Sequence, residues 1–160
     1  MGEREMVIPK ERVSVEICSS RGDLARGEVF LRAPQDGGRG ERLLDVLAER
    51  WFVPLQMPEK MTFVATRHVA WVRIDLLAAI DELDPEAEDD ETCCIARVVV
   101  ELLDASKITG TMRYTARQQS RRLGDQLERL PQFFALRTDD WVYLVSTACV
   151  ASVTPLEEKR

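Results

Sequence analysis

The residues best suited to chemistry in this 160-residue chain are one histidine, His68, and four cysteines, Cys18, Cys93, Cys94 and Cys149. A thiolate beside an imidazole is a nucleophile with its base, and thiols with an imidazole are zinc ligands. The spacing favours neither use. No two cysteines stand in the C-x-x-C separation of a zinc ligand set, so the donors would have to converge from distant parts of the chain. They read instead as reduced, buried, small apolar residues. No metal and no cofactor is expected, and catalysis is not.

Two further sets invite attention. "QDGGRG" at Gln35–Gly40 is glycine-rich and precedes a helix, so its N–H groups could face an anion. It lacks the G-K-[ST] ending of a phosphate loop and reads as a flexible connection. Arg26, Arg39, Arg42, Arg113, Arg117, Arg121 and Arg122 gather in the strand-to-helix regions, where paired guanidiniums can clamp phosphate. Asp45 and Asp125 each follow an arginine by three positions, Arg42 and Arg122. That spacing makes an i,i+3 ion pair on a helix, or leaves the carboxylate to accept N–H groups from a neighbouring loop.

The elements that must position these residues come in two matching series. "RVSVEI" (Arg12–Ile17) is paired by "RVVVEL" (Arg97–Leu102), both valine-rich and alternating, the pattern of a strand. A turn follows in each, then a second strand containing Gly27 or Gly110, where glycine marks a bulge or sharp bend. "RLLDVL" (Arg42–Leu47) and "RLGDQL" (Arg122–Leu127) open amphipathic helices predicted over Arg42–Arg50 and Arg121–Arg129, about three turns each. Short strands follow at Phe52–Leu55 and Phe133–Leu136, each near a proline. A long strand or tight hairpin closes each series, over Met61–Ile74 and Trp141–Pro155.

One order of elements written twice reads as an internal duplication of a β-β-α-β-β unit. The expected units are 11–74 and 95–156, with an acidic linker over 75–94. A unit of about sixty residues is marginal alone, so two half-units about a pseudo-twofold axis, or two small barrels sharing an interface, are expected. The fold class is mainly β (α+β): two small, strongly bent sheets or SH3/Sm-like barrels with one short helix each.

The combination of a glycine in the second strand, an R-L-x-D-x-L helix and a strand beginning near Phe resembles an uncharacterised bacterial domain, present here in tandem. The strand order is more distantly similar to Sm-like and other SH3-like small barrels. The resemblance implies a fold and a tendency to make protein contacts; fold alone confers no activity. "RQQSR" (Arg117–Arg121) has the R-x-x-x-R spacing that looks like half of a PilZ-type cyclic-dinucleotide motif, but the D-x-S-x-x-G half is missing.

Hydrophobic residues at 45% and charged residues at 31% are the balance of a soluble globule. The net charge of −6 argues against nucleic acid and anionic membrane as partners. "MGEREMVIPKERV" reads as no secretory signal, and a cytoplasmic location is expected. The function expected is a non-enzymatic protein-interaction, assembly or regulatory module that binds a protein or itself. Its candidate contact residues are Arg42, Asp45, Arg50, Trp51 and Trp71, with Arg117, Arg121, Arg122 and Asp125. The alternative is a regulatory module holding a small anionic ligand, nucleotide or RNA through the arginines near the second helix.

Overall fold

A computed structural model describes residues 10–33, 40–79, 93–115 and 123–159. Among these residues it is mainly β, with ten strands and two short α-helices. In chain order these are β1 (Lys10–Ser19), β2 (Leu24–Arg32), α1 (Leu43–Glu49), β3 (Phe52–Gln56), β4 (Met61–Ala65) and β5 (Val69–Asp75). They continue as β6 (Cys93–Leu102), β7 (Lys107–Thr115), α2 (Leu123–Leu127), β8 (Phe133–Arg137), β9 (Trp141–Ser146) and β10 (Val150–Lys159). All ten strands join one open sheet in the order β10-β6-β7-β8-β9-β5-β1-β2-β3-β4.

Alternation builds the hairpins. In β1, Val15 and Ile17 face inward, and β2 answers with Val29 and Leu31. Gly27 lies opposite Val15 on the adjoining strand, and Gly110 lies opposite Val98 in β6. A Cβ on Gly27 would fall 2.6 Å from the Gln56 carbonyl oxygen; one on Gly110 would fall 2.6 Å from that of Arg137. Each glycine therefore lets the following strand cross over closely, and there the sheet bends. Only one residue pair bridges β2 to β3 and β7 to β8.

Both helices are shorter than the leucine spacing predicts. Arg50 turns extended (φ −107°, ψ 143°) while its N–H still reaches Val46, so α1 stops before β3. Beyond α2, Arg129 and Leu130 donate to carbonyls only three residues back, and Pro131 follows. A proline cannot continue the ladder.

The closing runs are neither long strands nor hairpins. Each breaks at a 3₁₀ turn, Thr66–His68 or Thr147–Cys149. The Thr66 hydroxyl donates to the Arg50 carbonyl at 2.6 Å, and the Thr147 hydroxyl to that of Pro131 at 2.6 Å. These bonds hold the turn against the chain entering β3 or β8, so the strands on either side part company. β4 pairs with β3, whereas β5 lies between β1 and β9.

The same strand order occurs twice, as β5-β1-β2-β3-β4 and β10-β6-β7-β8-β9, joined where β5 pairs with β9. Three expectations change. The pairing draws no closed barrel, because the outer edge of β5 is taken by β9 and not by β4. The halves are not related by a pseudo-twofold axis, since such an axis would pair β10 with β4 as β5 pairs with β9, and β10 and β4 are the separate ends of the sheet. The strand match "RVSVEI"/"RVVVEL" is two residues out of register: Cys18 pairs with Leu24 as Glu101 pairs with Lys107, placing Arg12 with Ile95 and Glu16 with Val99. A two-residue slip preserves every inward and outward position, so the sequence pattern could not reveal it.

The expected linker is partly structure. Asp75 ends β5, the Leu76 N–H donates to the Asp140 carbonyl, and Ala79 is buried. Cys93 and Cys94 open β6. Residues 80–92 lie outside those described.

Candidate functional site

The joint between the halves is a polar network over an apolar seam. Arg73 on β5 donates through Nη2 to Glu16 Oε2 on β1 at 3.0 Å, and through Nη1 to the Tyr143 hydroxyl on β9 at 3.3 Å. Arg26 donates to the same Glu16 oxygen at 2.8 Å. The guanidinium of Arg73 stands 4.3 Å from the centre of the Trp141 ring, and Trp71 meets Tyr143 edge-on at 5.2 Å. Arg73 Nε is buried and has no hydrogen-bond acceptor among the described residues. The bond to Tyr143, ahead of that to Glu16, holds the guanidinium above its ordinary pKa against the opposing effect of burial. A groove of about 830 Å³ runs beside the network, lined in part by Ser14, Glu28, Gln56 and Asp75. The Glu16 carboxylate is shared by the two guanidiniums, Arg26 and Arg73, which fits a structural weld between β1, β2 and β5.

Beneath the weld, β8 and β9 use both of their faces. Phe134, Leu136 and Val145 enter the core of their own half. Phe133, Val142 and Leu144 point the other way and join the core of the first half, beside Leu43, Val46 and Leu47 of α1 and Val72 and Ile74 of β5. All three are buried.

The corresponding hairpin of the first half, β3–β4, has one face covered. Val53 and Leu55 are in the core. Counting 81 positions back from Phe133, Val142 and Leu144 gives Phe52, Met61 and Phe63. These are 55%, 43% and 65% exposed. Pro54 lies opposite Phe63, and an apolar groove of about 320 Å³ runs past Phe30, Val46, Met61 and Phe63. Trp51, 74% exposed, precedes Phe52. β4 is also a terminal strand of the sheet, so one line of its backbone groups has no strand partner among the described residues. Neither this face nor the Glu16–Arg73 network is apparent from composition. The signals that could have found them are a glutamate interrupting a valine strand and the two-sided apolar pattern of "WFVPL".

The residues expected from sequence fall in several places. Arg42 and Asp45 form a two-point ion pair on α1, with both contacts at 3.2 Å. Arg50 pairs with Glu41 at 3.3 Å. Trp51 is open to solvent, whereas Trp71 is engaged at the joint. Asp125 is exposed on α2. Arg117, Arg121 and Arg122 lie outside the described residues, as do the glycines of "QDGGRG" before Gly40. The structure thus brings Arg42 together with Asp45, while Trp71 and Asp125 lie on other elements.

Cys18, Cys94 and Cys149 are buried and in no disulfide. Burial, then the nearby carboxylates led by Asp104, raises the Cys18 pKa, the reverse of what a nucleophile needs. His68 and Cys149 fill one position in the two halves: the His68 carbonyl accepts from the Ser20 N–H at 2.7 Å and the Cys149 carbonyl from the Leu103 N–H at 3.0 Å. Among the described residues no group of three or more His, Cys, Asp or Glu side chains could hold a metal ion. No helix among them is long and apolar enough to cross a membrane.

No protein-family model matches the chain, and neither a curated protein nor a solved structure matches it.

Proposed function

We propose that the chain is a non-enzymatic, cytoplasmic assembly module, built by duplication of a β-β-α-β-β unit, that binds protein through the open face and edge of β3–β4. The observation that carries this reading is the cluster Trp51, Phe52, Met61 and Phe63, all large, apolar and exposed on a terminal hairpin. A solvated edge of this kind invites strand addition unless it is covered, and aromatic side chains dominate protein-interface energetics. The mutual pairing of Glu16, Arg26 and Arg73 beside the groove at the joint, and the raised Cys18 pKa, support the same reading, because these groups are engaged or held protonated and not activated.

The alternative, a small anionic ligand held by Arg117, Arg121 and Arg122, rests on side chains outside the described residues. Its sign is salt-sensitive binding abolished by Arg121→Glu.

The test is a photo-crosslinking amino acid placed at Phe63 in living cells, with Leu77 as the control position because it is apolar and 81% exposed elsewhere. Discrete adducts at 63 and none at 77 are expected. Equal or absent adducts at both positions overturn the assignment of the β4 face.

A further inference from the structure

Resting on the assembly reading, we infer that the partner of the β4 edge is β10 of a second copy of this chain, joined as β9 joins β5 within one copy. The internal joint is the template. It pairs Val72 with Leu144, Arg73 with Tyr143 and Ile74 with Val142. β4 corresponds to β9, and β10 to β5, as the matched 3₁₀ turns at Thr66–His68 and Thr147–Cys149 fix. These two strands are also the two ends of the sheet. Each end is therefore the counterpart of one side of a joint that the molecule already makes. The register carried over is Val153 with Phe63, Thr154 with Thr62 and Pro155 with Met61.

The side chains fit the same relation. Within the chain, Phe133, Val142 and Leu144 complete the core of the first half and leave α1 sealed, with Leu47 only 1% exposed. Among the described residues the second half receives only Trp71 from the first, itself partly buried. Its corresponding Leu127 is only partly buried, as are Leu130 and Val153 around the same core. The face carrying Phe52, Met61 and Phe63 is what that half lacks. Contact between unlike ends adds copies head to tail, giving a closed ring if the rotation closes and a filament if it does not.

The joint between copies is weaker than the joint within one. Thr154 stands where Arg73 does, Thr62 where Tyr143 does, and Ser152 where Trp71 does, so the weld is missing. Pro155, in the place of Ile74, withholds at most one N–H from the ladder. The internal joint also gains from tethering, which sets an effective concentration of the order of millimolar for short flexible linkers. Association between copies should therefore depend on protein concentration over a range where the chain itself stays folded.

The experiment uses the full-length chain. Phe63→Cys and Val153→Cys are made in separate chains, mixed and oxidised, with Thr62→Cys and Thr154→Cys as the adjacent pair, since neighbouring antiparallel pairs alternate between closer and wider spacing. Disulfide-linked heterodimers from at least one mixture, absent with the parent chain, are expected. Sedimentation should show multiples of 18.2 kDa that return to a single chain on Phe63→Asp. A single-chain mass at every concentration, with no mixed disulfide, overturns the inference. If that result comes with adducts to another protein at Phe63 in cells, the β4 assembly reading stands and only the self-pairing fails. If the adducts are absent as well, both fail.

Discussion

Phe63 and Leu144 occupy the same place in two matching hairpins, yet Phe63 is 65% exposed and Leu144 is fully buried. The difference is what lies against them: Leu144 packs into the core of the other half, and Phe63 faces solvent.

That contrast sets the first prediction. Leu144→Ala should lower stability by about 2–5 kcal/mol, the range for a buried leucine. Phe63→Ser should stay within about 0.5 kcal/mol in dilute protein, as surface changes do. Urea midpoints for the two variants measure both. Equal losses would show that the faces are not differently occupied.

Gly27 and Gly110 should each resist replacement by alanine. The added methyl would meet a backbone carbonyl at 2.6 Å and a leucine side chain besides, and overpacking of this kind costs about 1–3 kcal/mol. Gly22 differs, with a φ of +91° and open space around it. Gly22→Ala should cost about 1 kcal/mol from backbone conformation alone. Thermal unfolding of the three variants separates a close approach from a turn.

Thr66→Val and Thr147→Val should each lose a bond that fixes a 3₁₀ turn, about 1 kcal/mol apiece. Thr66 is the more buried of the two, so its variant should suffer more, because the Arg50 carbonyl is then left without that donor. Amide exchange at the two turns is the readout.

Cys18 gives the pH dependence. Its pKa is raised by burial first and by Asp104, Asp23 and Glu16 next, so the folded state holds the proton more tightly than the unfolded one. The stability from this group is complete below the ordinary thiol pKa and is lost as pH rises through the raised value. Labelling at Cys18 with a thiol reagent, located by peptide mapping, should be slow in the folded protein and speed up on unfolding. Fast labelling of the folded chain would contradict its buried position.

Much of the fold was legible because strands announce themselves locally. Val15 and Ile17 alternate with Ser14 and Glu16, Val98 and Val100 belong to a valine run bounded by Arg97 and Glu101, and Gly27 and Gly110 mark the bends. The helix ends were not, since Leu130 continues the leucine spacing after the backbone has already tightened toward Pro131. The break at Thr66–His68 was hidden too, because Thr and Val read as one continued strand while the deciding bond comes from Arg50, sixteen residues earlier. The candidate site was the least legible part. Val72 meets Leu144 across nearly half of the chain, and local pattern carries no record of so distant a pairing. Trp51 could be chosen from its type alone; Phe52, Met61 and Phe63 became candidates only once their counterparts were seen buried.

The most direct test of the β4 edge as the contact surface is amide hydrogen exchange of residues 61–65 over a series of protein concentrations, with 152–156 followed alongside. Both segments should exchange quickly in dilute protein and become protected together as concentration rises, while β1 and β6 stay unchanged. Fast exchange of 61–65 at every concentration, under conditions where the chain nevertheless associates, would contradict the account.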